Sequence, residues 1–136
     1  MYLVDTSVWI DYLRGDATRP VDALEVLLAG DEIVGTAPII VQEVLQGADT
    51  GERFEKWRLY FGFLMCYPPV DLLGSHIEAA RLYQACRRAG KTPRSSNDCL
   101  IARIAIEHGL VLLHDDRDFD AIGAVARSLK VFNTAR

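Results

Sequence analysis

The feature that most constrains the fold is the alternation of short, β-rich apolar runs with longer stretches of helical periodicity. The short runs comprise residues 2–4, 33–34, 110–113 and 130–132. The helical stretches comprise residues 21–28, 52–64, 79–86 and 98–108, where apolar side chains recur at three- and four-residue intervals. Strands that alternate with helices form parallel sheets covered on both faces. The sequence therefore predicts a three-layer α/β/α fold around a central, mostly parallel sheet.

Glycine and proline mark the ends of these segments. Gly30 ends the helical stretch of residues 21–28, Pro38 fits the first turn of a helix, and Gly109 is a good C-terminal stop for residues 98–108. Ser96 and Asn97 are candidate N-caps of the helix that follows them. The length of 136 residues suits one domain, so we expect residues 1–136 to form a single unit.

Composition narrows the class of protein. The net charge of −4 argues against a nonspecific nucleic-acid coat, although bound cations reverse the local sign at an acidic metal site. No apolar run approaches bilayer length and no signal peptide is visible, so we expect a cytoplasmic protein without a membrane segment. Cys66, Cys86 and Cys99 have no metal-site spacing, and we expect reduced core thiols.

Two acids follow predicted strands. Asp5 ends the first apolar run, and Asp116 follows residues 110–113. Each could simply cap the next helix. In open parallel sheets, however, ligands bind beyond the carboxyl ends of the strands. Asp118 lies two residues further along, whereas Asp115 and Asp120 are interpreted as a solvated acidic turn.

Two further acids lie on helices. Glu43 shares an apolar face with Ile39 and Ile40, where a carboxylate is costly unless it is paired or binds a metal. Asp98 lies at the start of the most apolar helix, where Arg103 and Glu107 form one exposed strip. A salt bridge for Glu43 and a first-turn acid for Asp98 are the plainer alternatives.

Taken together, these acids indicate a metal site. Hard oxygen ligands without a His or Cys cluster suit Mg²⁺ or Mn²⁺. Such a site can activate a water and stabilise the charge that develops on a phosphate. A metal-dependent DNA nuclease, a phosphatase and a non-catalytic Mg²⁺-binding signalling module remain open alternatives.

Two arginines are candidates for binding phosphate. Arg14 follows the helix that begins after Asp5, and Arg94 lies in the basic loop just before Asp98. We predict that both contact the phosphates of a nucleic acid. A solvated basic loop is the alternative.

Four segments carry a family resemblance. They are residues 4–10 (VDTSVWI), 42–47 (QEVLQG), 97–102 (NDCLIA) and 112–119 (LLHDDRDF). In order, spacing and total length they resemble the PIN-domain nucleases, and more narrowly the VapC-type toxins of bacterial toxin–antitoxin pairs. One departure is His114, where the family often has Thr or Ser.

The resemblance implies an α/β/α fold and Mg²⁺- or Mn²⁺-dependent endoribonuclease activity on RNA. It implies a homodimer and a cognate antitoxin that inserts a segment near the active site. The acidic cluster it implies comprises Asp5, Glu43, Asp98 and Asp116, with Asp118 as an auxiliary acid and Thr6 or Ser7 as a nearby hydroxyl. The aromatic side chains of residues 52–64 suit either the core or an interface with one of these partners.

Overall fold

The central layer is a five-stranded sheet with the strand order β3-β2-β1-β4-β5 and only parallel pairings. It is seen in a computed structural model that describes residues 1–132. The strands are β1 (Tyr2–Val4), β2 (Val34–Thr36), β3 (Met65–Cys66), β4 (Val111–Leu113) and β5 (Lys130–Val131). With helices interleaved between the strands, this confirms the predicted α/β/α fold.

Seven helices connect the strands within the described residues. They are α1 (Thr6–Arg14), α2 (Arg19–Ala29), α3 (Pro38–Gln46), α4 (Gly51–Phe61), α5 (Leu72–Arg88), α6 (Asn97–Glu107) and α7 (Arg117–Val125). The predicted boundary residues hold: Gly30 caps α2, Pro38 opens α3, and Gly109 has the positive φ of 65° that stops α6. Ser96 is the N-cap of α6 by position, but its side chain makes no cap hydrogen bond.

The chain changes direction across the sheet beside β1. From β1 it builds outward to β2 and β3, and it then returns to add β4 and β5 on the other side. The register pairs Val4 with Leu113, and the Asp5 N–H donates to the Leu113 carbonyl over 2.9 Å. The residues that follow β1 and β4 therefore meet at a topological switch point, where ligands bind in open α/β sheets.

Helix α6 lies deepest in the core. Cys99, Ile101, Ala102, Ile104 and Ala105 are all buried. This confirms the expectation from its nearly continuous apolar sequence. Asp98, the acid in the first turn of α6, is buried as well, because the N-terminal turn of the helix already lies in the core.

Several local expectations are wrong. Cys66 is exposed because it lies on the short edge strand β3, while Cys86 and Cys99 are buried as expected. The exposed strip of α6 is only half correct, since the Glu107 side chain is 7% exposed. Asp120 is exposed but lies in the first turn of α7, not in an irregular acidic turn.

Among residues 1–132, no helix is both long and apolar enough to cross a membrane.

Candidate active site

Asp5 lies at the carboxyl end of β1 and caps α1. Its Oδ2 accepts hydrogen bonds from the Ser7 hydroxyl over 2.9 Å and from the Ser7 N–H over 3.4 Å. The residue is 4% exposed. Burial raises the pKa of the Asp5 carboxyl to about 6, and the negative charge of Glu43 adds to the rise, while the bonds from Ser7 and Thr6 oppose it. Asp5 thus caps α1, as the plainer alternative predicted, and the same carboxylate also lies at the topological switch point.

Glu43 joins three helices. Its Oε1 accepts a hydrogen bond from the Thr6 hydroxyl of α1 over 2.7 Å, and its Oε2 accepts one from the Asn97 side-chain amide of α6 over 3.4 Å. No ion pair to an arginine is found for Glu43 among the described residues. The structure therefore places Glu43 among the other acids and disagrees with the salt-bridge alternative.

Asp98 is the second buried carboxylate of the cluster, after Asp5. It is 8% exposed and accepts no side-chain hydrogen bond from residues 1–132. Burial raises the pKa of its carboxyl to about 7. The repulsive charges that add to the rise come from Asp5, Asp116, Asp118 and Glu43. All five predicted acids are consequently close enough to interact electrostatically.

Asp116 and Asp118 stand on the outer side of Asp98. Each of the three residues offers a carboxylate oxygen within 4.8 Å of the others. Asp116 caps α7, and its Oδ1 accepts the Asp118 N–H over 2.9 Å. Asp115 lines the same outer cavity as Asp116 and Asp118, and this cavity has a volume of about 520 Å³.

Arg94 spans the two outer acids. Its Nη2 donates to Asp116 Oδ1 over 2.9 Å, and its backbone N–H donates to Asp118 Oδ2 over the same distance. Its Nε lies 3.4 Å from Asp118 Oδ2. These bonds raise the pKa of the guanidinium and keep it charged. Arg14, the other predicted phosphate ligand, instead donates to the Gly47 carbonyl over 3.4 Å.

Two supporting residues were not predicted for these positions. Asn97 was interpreted as a helix cap, but its amide contacts Glu43. His114 is 5% exposed, and its Nδ1 accepts the Asp116 N–H over 3.1 Å, which orients the loop that carries Asp116. The ring packs against Phe119 with centroids 5.0 Å apart. Both residues lie in segments that carry the family resemblance, but nothing in the sequence indicates these contacts.

Comparison with known proteins assigns the chain to a known family. The model of the PIN domain matches residues 2–125, which is most of the chain. The chain belongs to the PIN domain family. Among curated PIN-domain relatives, Ribonuclease VapC11 of Mycobacterium tuberculosis is 42% identical over 129 residues, covering 92% of this chain and 93% of the relative. Ribonuclease VapC51 of the same organism is 33% identical over 128 residues, covering 91% and 86%.

Solved PIN-domain structures share the fold at lower identity. VapBC2 from Rickettsia felis, bound to a promoter DNA fragment, superposes with a TM-score of 0.75 at 18% identity and covers 97% of both chains. VapBC-1 from nontypeable Haemophilus influenzae gives a TM-score of 0.72 at 18% identity and covers 99% of this chain and 98% of the other. These superpositions agree with the parallel α/β/α architecture described above.

Proposed function

We propose that this PIN-domain chain is an Mg²⁺- or Mn²⁺-dependent endoribonuclease, and that it is the toxin of a toxin–antitoxin pair acting in the cytoplasm. One observation carries the proposal: five carboxylates converge at the switch point of the sheet. They are Asp5, Glu43, Asp98, Asp116 and Asp118. The 42% identity to a ribonuclease over most of both chains supports RNA as the substrate.

The donor set fits a divalent cation. A buried carboxylate without a hydrogen-bond donor is costly unless a positive charge compensates it, and Asp98 is in this position. The candidate ligand atoms of the five acids are all carboxylate oxygens, which are the ligands that Mg²⁺ and Mn²⁺ prefer. We propose Asp5, Asp98 and Asp116 as ligands, with Glu43 and Asp118 completing the site. The bound cation would supply Lewis-acid stabilisation of the charge that develops on the phosphate.

The protein's own side chains have separate roles in this mechanism. Asp116 and Asp118 face the outer cavity, where they can orient the attacking water in line with the phosphodiester and take its proton. Arg94, with a side chain 78% exposed, contacts a phosphate oxygen of the RNA. Glu43 positions the Thr6 hydroxyl through its 2.7 Å bond.

The test is a comparison of three substrates under one set of conditions. The purified chain is incubated with Mg²⁺ or Mn²⁺ and matched RNA, single-stranded DNA or p-nitrophenyl phosphate, with EDTA as the control. We expect cleavage of RNA alone, abolished by EDTA. Equal cleavage of DNA or release of p-nitrophenol would support the alternative enzymes. Metal binding without cleavage would support the signalling module.

We propose an aromatic groove as the docking surface of the antitoxin. A cavity of about 580 Å³ is lined by Tyr12, Trp57 and Tyr60, and beside it Leu59 and Phe63 are 58% and 90% exposed. Apolar anchors of a partner peptide bind in such grooves. Structural neighbours of the chain are toxin–antitoxin complexes, which supports an antitoxin as the occupant. A Leu59→Glu/Phe63→Glu variant should retain RNA cleavage and lose co-purification with a co-expressed cognate antitoxin.

We also propose a homodimer. Three apolar side chains around the start of α5 are largely exposed: Val70 at 68%, Leu72 at 73% and Leu73 at 72%. Large apolar side chains exposed close together in the chain support an interface at this position. Sedimentation of the wild-type chain should give a dimer, and Leu73→Glu should give a monomer.

A further inference from the structure

A second groove adjoins the acid cluster. It lies between α5 and the first turn of α6 and has a volume of about 400 Å³. His76, Tyr83 and Arg87 line it from α5, and Asn97 lines it from α6. Because the same Asn97 amide donates to Glu43, one residue separates this groove from the proposed catalytic carboxylates.

The groove presents two ring systems on the same side of α5. Tyr83 is half-buried against the core, so its ring is held in place. His76 is exposed, and its Nδ1–H donates to the Leu72 carbonyl over 2.6 Å. This bond fixes the ring and leaves Nε2 as a hydrogen-bond acceptor. A held aromatic ring with polar atoms beside it suits a nucleobase, since every base can stack on an aromatic face.

Arg87 gives the groove a positive charge. Within residues 1–132 its side chain makes no hydrogen bond or ion pair, whereas Arg81 of the same helix pairs with Glu78 and Arg94 pairs with Asp116. In a chain with a net charge of −4, a cation without an acidic partner is available to an anionic ligand.

The N-terminus of α6 offers little competition for that anion. The N–H groups of Asn97, Asp98 and Cys99 already donate to the Ser95 hydroxyl, the Ser95 carbonyl and the Ser96 carbonyl. Arg87 is consequently the group in this groove that can bind a phosphate.

We propose that this groove binds the nucleotide next to the scissile phosphodiester, with the base stacked on Tyr83 and its phosphate bound by Arg87. The Asn97 amide connects this nucleotide to Glu43. The inference rests on the proposed ribonuclease function and adds a substrate subsite to it.

Steady-state cleavage of a short RNA tests the proposal. Tyr83→Leu and Arg87→Gln should each raise KM about tenfold with kcat unchanged, on the scale of losing one stacked base or one phosphate contact. Tyr83→Phe should keep the wild-type KM because the ring is retained. Arg87→Gln should also lower the salt dependence of log KM by about 0.7 per log unit. The matched control is Arg81→Gln on the same helix, which should change neither quantity.

Photo-crosslinking separates this proposal from the proposed function. RNA containing 4-thiouridine is cross-linked to the Asp98→Asn variant, and the peptide is mapped by mass spectrometry. We expect the cross-link on the peptide that contains Tyr83.

If the wild-type chain cleaves RNA but the cross-link lies elsewhere and both KM values are unchanged, the subsite is wrong and the nuclease stands. If the cross-link lies at Tyr83 but no RNA is cleaved, the subsite stands and the nuclease is wrong. A change in sedimentation coefficient of Arg87→Gln would overturn the subsite by identifying the groove as an interface between copies.

Discussion

The Nη2 atom of Arg94 donates to Oδ1 of Asp116 over 2.9 Å, so a cation of the protein occupies the outer side of the acid cluster. The same side chain also contacts Asp118. Arg94 can therefore have two roles. It compensates the negative charge of the acids when no divalent cation is bound, and its side chain is exposed enough to contact a phosphate.

Replacing Arg94 should separate these two effects. Arg94→Gln removes the charge that competes with a divalent cation, so the half-saturating Mg²⁺ concentration should fall by about two- to fivefold, as expected for an exposed pair. KM for RNA should rise because a phosphate contact is lost. Titrating Mg²⁺ at saturating RNA, and RNA at saturating Mg²⁺, measures the two quantities. A rise in both would contradict the competition between Arg94 and the metal.

Asp98→Asn should abolish cleavage and leave the protein folded. Loss of one preorganised charged group from a buried site typically costs about 100-fold or more in rate. At pH 8, above the pKa of about 7, and without divalent cations, the neutral amide should raise Tm by about 3 to 6 °C because four repulsive neighbours lose their partner.

The control for Asp98→Asn is Asp22→Asn, another first-turn acid, which is exposed. It should change neither cleavage nor Tm. Addition of Mg²⁺ should raise the Tm of the wild-type chain but not that of Asp98→Asn. Wild-type cleavage by Asp98→Asn would contradict its assignment as a ligand.

Local patterns predicted that Asp5 and Asp116 follow strands, because these positions depend on nearby sequence, while the role of the acids as a metal site stays a prediction. Asp5 and Asp116 follow short apolar runs, and strand ends in a parallel sheet meet at one edge. The fold class follows from the same alternation. The Asn97–Glu43 contact could not be predicted this way, because 54 residues separate the partners and the spacing of residues along a helix or strand carries no information about so distant a contact.

Strand β3 was missed for a related reason. It has only two residues, both exposed, and it exists because Gly35 and Met65 pair in register. The burial expected for Cys66 failed with it, because residue type alone does not reveal an edge strand. Helix α7 is not apparent in the sequence because its first turn is charged, although Phe119 and Ile122 recur at a three-residue interval and are buried.

Gly35 should not tolerate a side chain. A Cβ there would lie 2.9 Å from the Met65 carbonyl oxygen and would collide with the Tyr67 ring, which packs over β2. Gly35→Ala should lower the free energy of unfolding by about 1 to 3 kcal/mol, as for other overpacked cores. The control is Gly123→Ala in α7, where the substitution adds a Cβ with no neighbouring atom of residues 1–132 within 4 Å, and alanine should stabilise the helix by about 0.5 to 1 kcal/mol. Urea denaturation measures both, and equal stability of Gly35→Ala and wild type would contradict the packing.

Glu107, the last residue of α6, is hydrogen-bonded both to the first part of α5 and to the segment just before it. It accepts hydrogen bonds from the Ser75 hydroxyl over 2.5 Å and from the Val70 N–H over 3.0 Å, and Arg103 Nε lies 3.0 Å away. Burial raises its pKa, but these bonds and the charge of Arg103 outweigh that effect and hold the pKa below the ordinary value of 4.5. Glu107→Gln should therefore cost about 1 to 3 kcal/mol at pH 7.

The pH dependence of this loss follows from the direction of the shift. Because the folded pKa is depressed, the unfolded chain binds the proton more readily between the two pKa values, so the contribution of Glu107 is complete above the unfolded value of 4.5. It is lost as the pH falls through the folded pKa. The difference in unfolding free energy between wild type and Glu107→Gln should consequently shrink toward acid pH. Glu78→Gln, which removes a more exposed pair with Arg81, should show little difference at any pH. A Glu107→Gln difference that stays constant from pH 7 to acid pH would show that packing, and not the charge, stabilises this contact.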